Sequence, residues 1–154
     1  MIERNKKYEK MEPLMDERKK IILVIDDEPD HLFIAREMLS TEGYEVLTHR
    51  SPFGVQELIN AAAPDLVLMD VNMPTLPGDD LAAFLKADER NRNVQIVLYS
   101  SADEALLRSA VARHRLQGYI CKGVNDDLRL KVGRFLKEHE ADSTADRRRL
   151  YAVE

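Results

Sequence analysis

Four short apolar runs, each closed by residues able to do chemistry, constrain this chain more than any other feature. Ile21 to Ile25 ends in Asp26-Asp27, and Leu66-Val67-Leu68-Met69 ends in Asp70. Val94 to Tyr99 ends in Ser100-Ser101, and Tyr119-Ile120-Cys121 ends in Lys122. Predominantly apolar runs of this length, rich in β-branched residues, read as strands buried on both faces, the signature of a parallel sheet. In an open α/β sheet, ligands bind just outside the carboxyl ends of the strands. Three carboxylates, a hydroxyl and an ammonium are therefore expected to share one pocket.

Between the runs lie helical patterns. Asp30 is placed to cap a helix with Leu32, Ala35, Met38 and Leu39 on one face, ended by Gly43. Tyr44 to His49 is more polar and reads as an edge strand. Ser51 would cap the next helix, with Pro52 at its first position and Val55, Leu58, Ile59 and Ala62 inward. After the loop from Val71 to Gly78, a helix is expected to turn Leu81, Phe84 and Leu85 inward. Asp103 to His114 forms another, with Leu106, Leu107, Ala110 and Val111. Asn125 would cap the last, whose apolar face is Leu128, Val132, Phe135 and Leu136. Five strands alternating with five helices imply an α/β fold, a parallel sheet covered on both faces. Residues 1–19 read as a charged N-terminal extension, 20–140 as the folded domain and 141–154 as a polar C-terminal tail.

The bulk numbers agree with a single domain of 154 residues. A formal net charge of −5 argues against direct nucleic-acid binding, which asks for a basic footprint. No apolar stretch is long enough to span a membrane, and the N-terminus lacks the apolar centre of a signal peptide. One cysteine, Cys121, suits a reducing compartment and reads as a core filler. A cytoplasmic location is expected.

Asp26, Asp27 and Asp70 would crowd negative charge together. Two unit charges ~4 Å apart repel by ~4 kcal/mol at an effective dielectric near 20. The site therefore calls for a cation, and oxygen ligands suit Mg²⁺. A carboxylate such as Asp70 can take a phosphoryl group as an acyl phosphate. That chemistry asks mainly for positioning and charge neutralisation. Mg²⁺, Lys122 and the Ser100 hydroxyl would then meet the phosphoryl oxygens.

These residues resemble the receiver domain of two-component response regulators, over roughly 20–140. The matching segments are Val24-Ile25-Asp26-Asp27-Glu28-Pro29, Asp70-Val71-Asn72-Met73-Pro74 with Gly78, Tyr99-Ser100-Ser101, and Gly118-Tyr119-Ile120-Cys121-Lys122. The resemblance implies a flavodoxin-like, doubly wound fold with strand order 2-1-3-4-5. It implies that Asp70 is the phosphoacceptor, that Asp26, Asp27, Asp70 and the Asn72 carbonyl hold Mg²⁺, and that Ser100 and Lys122 contact the phosphoryl group. Ser100 and Tyr119 would be the switch pair, and Ser101 would have no catalytic role. One departure stands out: the family commonly has Pro after this lysine, and here it is Gly123.

The expected function is a phosphorylation switch, a signalling protein that catalyses only its own phosphorylation and dephosphorylation. A sensor histidine kinase would phosphorylate Asp70 and so change binding to a downstream protein effector. The alternatives are a relay that passes the phosphoryl group to a histidine phosphotransfer protein, and a phosphorylation-independent scaffold. An aspartyl phosphatase of the haloacid dehalogenase type would need a second Asp two positions after the nucleophile, where Asn72 stands. The chain would be a monomer or a weak dimer.

Overall fold

The computed structural model describes residues 18–123 and 127–152. Strands and helices alternate throughout: β1 (Ile21–Ile25), α1 (Pro29–Ser40), β2 (Glu45–His49), α2 (Val55–Ala62), β3 (Leu66–Met69), α3 (Gly78–Ala87), β4 (Gln95–Ser100), α4 (Glu104–His114), β5 (Gly118–Cys121) and α5 (Asp127–Ala152). A 3-10 turn, Glu89–Asn91, follows α3. The five strands form one parallel sheet in the order β2-β1-β3-β4-β5, the doubly wound order the motifs imply.

The alternation of side chains along each strand divides the core into two layers. Leu23, Ile25, Val67, Met69, Ile96 and Leu98 face α2, α3 and α4, where Val55, Ile59, Leu81, Leu85 and Leu107 meet them. Ile22, Val24, Leu66, Leu68, Val97 and Ile120 face the other way, onto Leu32, Ala35 and Leu39 of α1 and Leu128, Val132 and Leu136 of α5. Both faces are thus consumed by helices, which is why the strands carry no polar alternation. β2 lies at the edge, as its polar sequence suggests.

Several local expectations are corrected. Asp30 does not cap α1; Glu28 holds the N-cap position, Pro29 opens the helix, and Asp30 lies in the first turn. The Ser51-Pro52 pair does not start α2. Ser51 Oγ accepts from Phe53 N at 3.1 Å in a tight turn, and the helix starts later, behind Gly54 at φ +79°. Two residues expected inward face solvent: Phe84 of α3 is 68% exposed and Leu106 of α4 65%. The stretch from 141, read as a polar tail, continues the last helix to Ala152, which leaves its polar character unchanged. The expected Asn125 cap and residues 1–17 of the N-terminal extension lie outside the described residues. Among the described residues, no helix is long and apolar enough to cross a membrane.

Candidate functional site

Strand register assembles the site. Ile25 pairs with Met69 and Met69 with Leu98, so Asp26 and Asp70 follow side by side on adjacent strands. Ser100 pairs with Cys121, which sets Lys122 one residue beyond β5. The Lys122 N–H donates to the Ser100 carbonyl at 2.9 Å, fixing that turn.

Asp26 and Asp70 are almost fully buried, with Asp70 only 5% exposed. Such charges need a partner, since an isolated ion in the interior is costly. Lys122 is that partner: its ammonium donates in a short hydrogen bond to Asp26 Oδ2 and lies 3.4 Å from Asp70 Oδ2. It also lies 5.2 Å from the centre of the Tyr99 ring, within cation–π range. Burial alone would raise the Asp26 carboxyl. The hydrogen bonds from Lys122 and from the Glu28 N–H, with the charge of Lys122, outweigh it and hold Asp26 below its ordinary 3.8.

The loop after β3 is tied to its aspartate. Asp70 Oδ1 accepts from the Asn72 N–H at 3.2 Å. Gly78 N–H donates to the Val71 carbonyl at 3.2 Å and folds the loop back. A Cβ on Gly78 would lie 1.7 Å from the Asp70 carbonyl oxygen, so no larger residue fits. Met73 anchors the loop in the core.

Of the residues singled out by sequence, the fold brings Asp26, Asp70 and Lys122 into contact. Asp27 is half-buried and stands outside the group of ligand atoms that converge, which comprises Asp26, His31 and Asp70 within 4.8 Å of one another. Ser100 is fully buried at the end of β4, and its Oγ accepts from the Ala102 N–H at 3.1 Å. Tyr119 sits on β5 with its hydroxyl at the surface, donating to Glu104 Oε1 of α4 at 2.8 Å. Gly123 takes φ +88°, a left-handed conformation that suits glycine.

The sequence reading missed His31. Its Nδ1 lies 3.2 Å from Asp26 Oδ2 and 3.1 Å from Lys122 Nζ. The Glu104 tie to Tyr119 was missed too, although Glu104 in the first turn of a helix beside β5 was readable. The donor set fits a hard divalent cation: two buried carboxylates already hold one cationic group between them.

A model of the response regulator receiver domain matches residues 22–132, and the chain belongs to this family. The polar-differentiation response regulator DivK of Brucella ovis is 26% identical over 110 residues, covering 69% of this chain and 86% of DivK. Among solved structures, a CheY-like receiver domain protein from Methanospirillum hungatei has a TM-score of 0.72 at 25% identity, covering 81% of this chain and 99% of that one. The response regulator TrrA of Thermotoga maritima, solved in complex with Mg²⁺ and BeF, has a TM-score of 0.66 at 29% identity, covering 75% of this chain and 98% of that one.

Proposed function

We propose that this receiver domain is a phosphorylation switch whose acceptor is Asp70. The observation that carries the reading is the buried Asp70 carboxylate, 3.4 Å from the Lys122 ammonium and one strand away from Asp26. A phosphohistidine of a sensor kinase is the donor. An Asp70 carboxylate oxygen attacks phosphorus, the P–N bond breaks, and the imidazole leaves, giving an acyl phosphate on Asp70. Asp26, Asp27, Asp70 and the Asn72 carbonyl would hold Mg²⁺, which when bound supplies positive charge to the phosphoryl oxygens. Lys122 supplies the second positive charge and orients Asp70 through their ion pair.

The gained charge then acts as a ligand that favours one of two conformations. Ser100 leaves its turn hydrogen bond to Ala102 and turns its hydroxyl to a phosphoryl oxygen. Tyr119, held outward by Glu104, turns into the space Ser100 vacates. α4, β5 and α5 thereby present a changed surface to a protein effector. A relay would differ only in returning the phosphoryl group to a second histidine, which a labelled phosphotransfer protein would report.

Beryllofluoride binding, read by ¹⁹F NMR, tests the reading. Bound fluoride signals are expected for the wild type with Mg²⁺, and none without Mg²⁺ or in Asp70→Asn. Their absence from the wild type at saturating Mg²⁺ would overturn it.

A further inference from the structure

His31 has no role in the switch described above, yet it faces the centre of the site. Lys122 Nζ, 3.1 Å from His31 Nδ1, carries only donors. The same Nδ1 lies 3.2 Å from Asp26 Oδ2, so the ring stands between a donor and an acceptor, and its neutral form with the proton on Nε2 is the one able to offer Nδ1 to a metal ion. A His31 ring nitrogen, an Asp26 oxygen and an Asp70 oxygen converge within 4.8 Å of one another, and the cation now among them is an ammonium. A lysine on a flexible four-carbon stem can yield that place to a metal ion. The His31 side chain is 41% exposed, so the site opens to water on the α1 side and leaves room for water ligands.

An imidazole changes which ion such a site prefers. Carboxylates, carbonyls and water suit Mg²⁺, whereas imidazole suits later first-row ions, whose affinity rises along the Irving–Williams order. We infer that His31 is a metal ligand, and that it makes this a mixed nitrogen–oxygen site selecting Co²⁺, Ni²⁺ or Zn²⁺ over Mg²⁺. The inference rests on the acidic site of the proposed function and adds a ligand to it. The consequence is a receiver whose metal occupancy responds to transition-metal supply as well as to Mg²⁺.

The full chain, stripped of metal, is titrated with Co²⁺ and separately with Mg²⁺, followed by calorimetry and, for Co²⁺, by visible absorption. His31→Gln keeps a polar partner for Lys122 and removes the imidazole. His114→Gln is the control, because His114 lies near Asp79 and Asp80 in a second group of possible ligands. The wild type is expected to bind Co²⁺ more tightly than Mg²⁺. His31→Gln is expected to weaken Co²⁺ about tenfold or more, a loss that groups merely supporting a ligand already cause, while leaving Mg²⁺ within about twofold. His114→Gln should change neither. Should His31→Gln fail to fold, ¹⁵N-histidine NMR of the wild type serves instead, and the Nδ1 resonance of His31 should shift on Zn²⁺ addition. A Co²⁺ affinity unchanged in His31→Gln, or an unshifted Nδ1, would overturn the inference while leaving the acidic site standing. A wild type that bound neither ion would overturn both.

Discussion

At the residue scale, the site is a balance of buried charges around Lys122. Removing that ammonium leaves Asp26 and Asp70 facing each other with only backbone N–H groups and His31 beside them. Lys122→Met should therefore cost about 3 kcal/mol at neutral pH, in the range for breaking a buried ion pair. Urea denaturation measures this. The pH dependence follows from Asp26. Its carboxyl is held below its ordinary 3.8, so its stabilising contribution is present above that value and lost as pH falls through the lower folded value. In Lys122→Met burial pushes the carboxyl up instead, so the deficit against wild type should begin to shrink as pH falls toward about 4, through the variant's raised value, and go on shrinking below it as the wild type loses its own contribution. A deficit constant from pH 7 to pH 3 would contradict this balance. Gly78 is a second fixed point. The Cβ of Gly78→Ala would meet backbone rather than a yielding side chain. That variant should lose about 3 kcal/mol or fail to fold, as severe overpacking does. His31 shows why the site was only partly legible: it is a polar residue early in a helix, and nothing local distinguishes it from a solvated one. Only the fold brings in Lys122, 91 residues away.

At the element scale, the strands were readable and the helix faces only partly so. A strand buried on both sides announces itself through its unbroken apolar run, and the polar residue after it marks where the chain leaves the sheet. All four runs placed by sequence are strands in the structure, and Tyr44 to His49 gives the edge strand. Helices are harder because a 3.6-residue period allows neighbouring arcs of one surface to serve as the buried face. In α3, Leu81 and Leu85 are buried and Phe84 lies outside their arc; in α4, Leu107 and Ala110 are buried and Leu106 lies outside. Starts of helices were misplaced where backbone conformation decides. Gly54, in the left-handed region, takes the N-cap role that Ser51 would have by composition. The inward and outward residues of α3 should separate on mutation. Leu85→Ala should cost 2–5 kcal/mol, whereas Phe84→Ala should cost under about 1 kcal/mol. Thermal or urea unfolding checks both, and equal losses would mean the α3 face is wrongly assigned.

At the scale of the whole molecule, one sheet with helices on both faces brings the ends of β1, β3, β4 and β5 to a common rim. A cation bound at that rim in the folded state and not in the unfolded chain stabilises the domain by mass action. At a concentration 100 times its dissociation constant, Mg²⁺ should add about 2.7 kcal/mol. The added stability should appear as a rise in Tm and disappear in Asp70→Asn, where a ligand oxygen is lost. A rise of equal size in Asp70→Asn would place the ion elsewhere. The central claim is that the rim accepts a phosphoryl group on Asp70. Intact-protein mass after incubation with Mg²⁺ and acetyl phosphate tests it most directly. The account predicts one added phosphoryl group on the wild type, and none without Mg²⁺ or in Asp70→Asn. An adduct of the same extent in Asp70→Asn would contradict it.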